Sequence, residues 1–158
     1  MTTINYTNEM PYTYNPNHKG APYLIEGAYK NHGEYIESAI KFHMGIDFAV
    51  NPATSFDNGS DIECLSASVK SSGATLASIY GNSFDEIKAD YFSRVHSTLW
   101  IWGTEIDGII YEYHMNKAEF SEFIDTFATL TTESSNGKFK IRMKKDSLKM
   151  LRWFEAHL

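Results

Sequence analysis

One cysteine in 158 residues, Cys64, leaves no disulfide framework and no thiolate zinc site, and fits a reducing compartment. No run of about eighteen apolar residues occurs, so no spanning helix is expected and the chain is read as keeping off the membrane. Met1 to Met10 has neither a basic start nor an apolar stretch, which predicts no secretory signal and a cytoplasmic protein. Only four prolines interrupt the chain. No serine sits in a Gly-x-Ser-x-Gly elbow, no Gly-rich phosphate loop occurs, and the six histidines lack zinc-protease or deaminase spacing. Positive charge is in short supply: 14 Lys and Arg face 20 Asp and Glu, a net charge of -6. That balance excludes a generic, electrostatically sticky nucleic-acid binder. What the chain has is apolar bulk. At 42% hydrophobic and 15% aromatic it can bury a core without metal or disulfide staples.

The charge is unevenly spread. Residues 1–137 carry 7 of the 14 bases and 18 of the 20 acids. The last 21 residues hold the other seven bases, Lys138, Lys140, Arg142, Lys144, Lys145, Lys149 and Arg152, against Asp146 and Glu155 alone. A basic end on an acidic body suits a protein that meets phosphate on one face and holds cations on another; it is also what a solvated charged terminus looks like.

Residues 1–30 are rich in Tyr, Asn and Pro without helical or strand period, and are predicted to form an irregular arm, with residues 31–158 as the domain. Tyr35, Ile36, Ala39, Ile40 and Phe42 fall at helical spacing over Gly33 to Met44, with Gly45 as C-cap. After a turn-rich loop, Asn51 to Ser60, come three short strand-like runs, Asp61–Cys64, Ala67–Ser71 and Ala74–Tyr80. Ser83 and Glu86 form a capping box for a helix to about Val95. Strands are predicted at Thr98–Gly103 and Gly108–Met115 around the turn Glu105–Gly108, then a helix from Lys117 to about Leu130. Asn136-Gly137 signals a hairpin or loop before a strand Lys138–Met143, and Asp146 caps a final helix Ser147–His157. The expected architecture is α/β (α+β): one domain, with a central mixed β-sheet flanked by helices.

The stretch from Gly59 to Gly73 carries the chemistry. It places Asp61 and Glu63 on one short strand and Lys70, two residues after Ser68, on the next, behind a helix carrying Glu37. If the strands pair, Asp61 and Lys70 converge at one end of the sheet. Carboxylates can hold Mg²⁺ through hard oxygen ligands, and a lysine beside them can orient a water and offset phosphate charge.

Asp61, the Ser68-Val69-Lys70 triplet and the Glu37 helix together resemble the PD-(D/E)XK nucleases, metal-dependent DNA-cleaving enzymes that include many type II restriction and some homing endonucleases. The order of an acidic helix, a strand pair with Asp and Lys, a later helix and further strands is similar over roughly residues 31–130. Trp100-Ile101-Trp102 through Ile109-Ile110-Tyr111 to Glu119-Phe120 looks like the later hairpin and helix of small restriction enzymes. The resemblance implies a restriction-endonuclease-like core and Mg²⁺, with Mn²⁺ as substitute. It makes Asp61 the principal ligand, Glu37 and Glu63 supporting carboxylates, and Lys70 the water-orienting base. The chain departs from the motif at Ser68, where the family carries a second acid, and at Ser60, where it carries proline.

Asp85-Glu86-Ile87-Lys88 also spells Glu-x-Lys, but within a helical period, where Glu86 and Lys88 point to different sides. Lys140, Arg142, Lys144, Lys145, Lys149 and Arg152 are the candidate phosphate contacts to double-stranded DNA. Trp100, Trp102, Tyr111 and Tyr113 are read as core plus dimer face rather than a base-stacking platform. Leu148, Leu151, Trp153 and Phe154 give the last helix a broad apolar surface suited to a homodimer, as a two-strand cutter needs. The competing expectation is a non-catalytic DNA- or protein-binding module on the same fold.

Overall fold

The structure is a computed structural model that describes residues 1–9, 13–14, 28–29, 36, 39–40, 42–44, 67–71, 79–131, 137–143 and 146–158. Its frame is a four-stranded mixed sheet. Strand β1 (Thr2–Thr7) is followed by two short strands, β2 (Thr13–Tyr14) and β3 (Ala28–Tyr29), which pair with each other in parallel. Residues 36, 39, 40, 42 and 43 are helical and are called α1. Then come β4 (Ala67–Ser71), α2 (Phe84–Arg94), β5 (Leu99–Ile106), β6 (Ile109–Met115) and α3 (Lys117–Phe127). The chain ends with β7 (Ala128–Thr131), β8 (Lys140–Met143) and α4 (Ser147–His157). The sheet order is β1-β6-β5-β4: β4 runs parallel to β5, and the other two pairings are antiparallel. The described residues thus form a small mixed α+β fold, as expected.

Local chemistry accounts for the element boundaries. Ser83 Oγ accepts the Glu86 N–H at 3.2 Å, but the Glu86 carboxylate accepts from Asn82, one residue before the cap. At α3 the box is complete: Asn116 Oδ1 accepts from Glu119 N–H at 2.8 Å and Glu119 Oε1 from Asn116 N–H at 2.9 Å. Asp146 caps α4 through Lys149 N–H at 3.0 Å. The β5–β6 hairpin closes at Asp107 (φ 51°) and Gly108 (φ 77°); two successive left-handed residues match the twist of the flanking strands.

Several predicted boundaries moved: β5 runs Leu99–Ile106 where Thr98–Gly103 was expected, taking in Glu105 and Ile106 of the predicted turn, and β8 begins at Lys140 instead of Lys138. The first thirty residues were read as without period, yet Thr2–Thr7 form an edge strand on β6, with Thr3 opposite Tyr113 and Tyr6 opposite Ile110. The helix from Lys117 stops at Phe127 instead of Leu130, because Ala128–Thr131 turn extended and pair with β8. Thr129 and Thr131 are β-branched and gain a ladder there. The predicted loop Asn51–Ser60 and strand Asp61–Cys64 lie outside the described residues, as does 74–78 of the third strand-like run; Ile79 and Tyr80 are not in a strand.

Both faces of the sheet are covered. In β5, Trp100 and Trp102 point to one side, with Tyr113 and Met115 opposite them in register. On that side Trp100 stacks on Phe120 (5.5 Å, 15°), Trp102 meets Phe123 edge-on (5.1 Å) and Tyr113 stacks on Phe154 (3.8 Å, 3°). Ile87 and Tyr91 of α2 join this core, and Tyr91 Oη accepts the Trp100 indole N–H at 2.9 Å. Helix α1 covers the other side through buried Ile36, Ala39 and Ile40. Gly103 makes that approach possible, since a Cβ there would lie 2.5 Å from Ile40 Cδ1 and 2.8 Å from Ile36 Cγ2.

The aromatic pairs of β5 and β6 thus belong mainly to the core: Trp100, Trp102 and Tyr113 are fully buried, and Tyr111 is half-buried against them. The last helix uses its apolar surface in the same way. Phe154 and Met150 are fully buried, and Leu151 and Trp153 pack on the core, leaving Leu148 and Leu158 as the exposed large hydrophobics of α4 and the chain end. Among the described residues no helix is long and apolar enough to cross a membrane.

Candidate functional site

Of the residues predicted to bind metal, Asp61, Glu63 and Glu37 lie outside the described residues. Lys70 does not: it is the fourth residue of β4, in register with Trp102, two positions after Ser68, which pairs with Trp100. Among the described residues β4 is the last strand of the sheet, so the lysine stands beside central β5, and α2 links the two parallel strands. Among the described residues no group of three or more His, Cys, Asp or Glu is arranged to hold a metal ion.

The Glu-x-Lys text in α2 behaves as its helical period predicts. Lys88 reaches Asp125 of α3 at 2.7 Å, while Glu86 serves the helix start. These two residues are engaged in holding α2, on different sides of it.

The basic segment is partly in place. Ile141 and Met143 of β8 are buried and Arg142 is exposed, the alternation of a strand with one face on the core. Lys140 is half-buried, its ammonium 4.5 Å above the Tyr80 ring, an arrangement that restrains the side chain. Lys149 and Arg152 are exposed on α4. Lys144 and Lys145 lie outside the described residues. Lys149 approaches Asp146 at 3.9 Å, a weak contact between exposed groups.

A second cluster emerges that the sequence reading did not single out. Glu112 of β6 is 2% exposed, on the face of the sheet covered by α1. A buried carboxyl is expensive unless its oxygens are occupied, and here both are. Tyr6 Oη donates to Oε2, and His114 Nε2 lies 2.9 Å from Oε1. Burial, then the Glu112 carboxyl itself, push the Tyr6 phenol above its ordinary value, so it stays protonated and remains a donor. The Tyr6 ring lies 4.2 Å from the ring of His43 on α1, and His43 Nε2 accepts the Glu9 N–H at 3.3 Å. Asn8 Nδ2 donates to Glu105 at 2.6 Å, and Asn8 N–H to Gly108 O at 2.9 Å.

The arrangement joins β1, β6 and α1 through side chains from three distant parts of the sequence. Its chemistry is that of an anchor. Glu112 accepts twice, and the bond to Nε2 fixes the His114 ring with Nδ1 not used in it. The signal that could have found it is one charged residue at i, i+2 to a histidine in a strand beside the apolar run Leu99–Trp102. Such a run marks a strand buried on both faces, where an isolated carboxyl must have partners.

No family model, no curated protein and no solved structure matches this chain.

Proposed function

We propose that the protein is a metal-dependent DNA endonuclease with a restriction-endonuclease-like core, of restriction or homing type. The observation that carries this reading is the setting of Lys70. Its strand β4 follows helix α1 in the chain, is linked by helix α2 to β5, and pairs with β5 in parallel. Helices α1 and α2 cover opposite faces of the sheet, α1 at Gly103 and α2 at Trp100. Apart from the Asp61 strand, which lies outside the described residues, this order supports the one that the PD-(D/E)XK resemblance implies around its lysine.

In this reading Asp61, Glu63 and Glu37 hold Mg²⁺ or Mn²⁺. Three carboxylates are a hard-oxygen donor set, the kind Mg²⁺ takes alongside waters and a phosphate oxygen. The metal would polarise the scissile phosphate and make a bound water more acidic. Lys70 orients the attacking water and offsets phosphate charge. Lys140, Arg142, Lys144, Lys145, Lys149 and Arg152 position the duplex through its phosphates, without reading sequence. A homodimer would present two such sites to the two strands.

Ser68 favours a second reading, a non-catalytic DNA- or protein-binding module. A serine hydroxyl cannot replace a carboxylate as a metal ligand at neutral pH, and it occupies the position two before Lys70.

The deciding experiment incubates the purified chain with plasmid and phage DNA in Mg²⁺, in Mn²⁺ and in EDTA, beside Asp61→Ala and Lys70→Ala. The endonuclease reading expects cleavage that needs metal and falls at least about 100-fold in each variant while circular dichroism is unchanged. It also expects calorimetric Mg²⁺ binding that Asp61→Ala weakens. Cleavage that survives both substitutions overturns the assignment of the site. DNA binding with neither cleavage nor metal binding selects the module.

A further inference from the structure

The ribbon formed by β7 and β8 has two unlike faces. Thr129 stands opposite Arg142 and Thr131 opposite Lys140, so these four side chains share one face, while Leu130 and Ile141 share the other. Ile141 and Met143 are buried, which turns the first four away from the core, and Thr129 and Arg142 are exposed. The outward face continues past the other edge of β8. Gly81 and Phe139 exchange both backbone hydrogen bonds, at 3.0 and 2.8 Å, and this places Tyr80, 45% exposed, beside Lys140. Tyr80–Asn82, Ala128–Thr131 and Lys140–Met143 contain no aspartate or glutamate. Among the described residues no ion pair engages Lys140 or Arg142. Carboxylates resume with Asp85 and Glu86, in the first turn of α2.

A positive face without acids suits a polyanion, and its shape selects which. Strands about 4.8 Å apart, with their side chains, fit the major groove of B-DNA, about 12 Å wide, and not the minor groove, about 6 Å wide. Four residues per strand span about 13 Å, roughly four base pairs. The two cations are placed differently. Lys140 is held over Tyr80 at the border, whereas Arg142 is exposed beside Thr129. Thr129 and Thr131 donate their hydroxyls to the carbonyls of Arg142 and Lys140, at 3.4 and 3.3 Å, so what they offer outward is a methyl group. A guanidinium forks onto guanine O6 and N7, and a threonine methyl meets the methyl of thymine. We propose, on the DNA reading given above, that the β7–β8 ribbon is the sequence-reading element and lies in the major groove of double-stranded DNA. Arg142 takes a guanine edge there, and Lys140, Lys149 and Arg152 hold the flanking phosphates. Of the six bases given to phosphate above, Arg142 is thereby moved to base readout.

The test selects bound molecules from a pool of randomised DNA duplexes in EDTA, which prevents metal-dependent cleavage, and sequences them. The wild type should enrich a motif with a fixed guanine. Arg142→Ala should lose the preference at that base pair and weaken the selected duplex about 10- to 100-fold, with the unselected pool changed by less than about 3-fold. Arg142→Gln should move the preference toward adenine, a readout that lost charge alone would not produce. Lys149→Ala should keep the motif and lower the slope of affinity against salt by about one, while Arg142→Ala leaves that slope in place. An RNA duplex of the selected sequence should bind no better than the DNA pool, because its major groove is too narrow for the ribbon. Equal weakening of selected and unselected duplexes by Arg142→Ala, or wild-type binding that enriches no motif, overturns the ribbon's role and leaves the DNA reading standing. Failure of the wild type to bind any duplex overturns both. Circular dichroism of each variant checks that the fold is kept.

Discussion

On one face of the sheet Trp100, Trp102, Tyr113 and Met115 lie under α2, α3 and α4, and adhesion comes from ring area, much of it in stacked and edge-on pairs. On the other face the sheet offers Ile101, Gly103, Ile110 and the Glu112 cluster, and helix α1 comes close enough that Gly103 has no room for a methyl. The first face is thick and apolar, so its stability is spread over many contacts. The second depends on the close approach of the Ile36 and Ile40 side chains to the Gly103 backbone and on two hydrogen bonds to one buried carboxyl. A small change should therefore be absorbed on the first face and felt on the second, whereas only a large truncation should damage the first.

The largest expected effect tests the aromatic side. Phe154→Ala removes the ring stacked on Tyr113 and should cost about 3–5 kcal/mol in chemical denaturation. A loss under about 1 kcal/mol would show that α4 is not part of the cooperative core. Next comes Tyr6→Phe on the opposite face. It deletes one hydroxyl, but that hydroxyl serves a buried carboxyl, so about 1.5–3 kcal/mol should be lost. The added substitution Glu112→Gln should make the effect of Tyr6→Phe smaller, because the acceptor it serves is then uncharged.

Gly103→Ala sharpens the contrast from the side of shape. The added methyl meets Ile36 and Ile40, and about 1–3 kcal/mol should be lost even though apolar area increases. A stabilised Gly103→Ala protein would mean that α1 does not sit where the structure places it. The smallest effect concerns pH. Asn116 N–H, then the Met1 ammonium at 2.7 Å, hold the Glu119 carboxyl below its ordinary value. A carboxyl lowered in the folded state contributes stability that is present above its unfolded value. That contribution is lost as pH falls through the lower, folded value. Unfolding midpoints should thus drop on acidification below the usual carboxylate range, and Glu119→Gln should flatten that part of the profile.

Much of the frame was legible in the pattern. Helix α4 begins and ends where Asp146 and the apolar spacing place it, and β8 alternates as Phe139, Ile141 and Met143 against Lys140 and Arg142 suggest. Strand β1 was not legible, because an edge strand with one neighbour keeps both faces partly exposed. Its residues Thr, Asn and Tyr then read as loop composition. The end of α3 was misplaced for a related reason: Ala128–Thr131 continue a helical period, and only the partner strand β8, with which they pair in register Ala128 to Met143, draws them out. The candidate metal ligands Asp61, Glu63 and Glu37 were legible as carboxylates before a lysine, and of that constellation the described residues include Lys70 and Ser68.

The sequence by itself determined what depends on neighbours a few residues apart. Caps at Ser83, Asn116 and Asp146, the Asp107-Gly108 turn and the apolar faces of the helices all follow from local hydrogen bonding and period. The tertiary structure alone decided which side chains meet. Tyr6 reaches Glu112 across 106 positions in the chain, and Gly103 receives a helix more than sixty residues before it. The cost of burying a carboxyl, or of filling a gap, is set by those distant partners, and no local pattern encodes it.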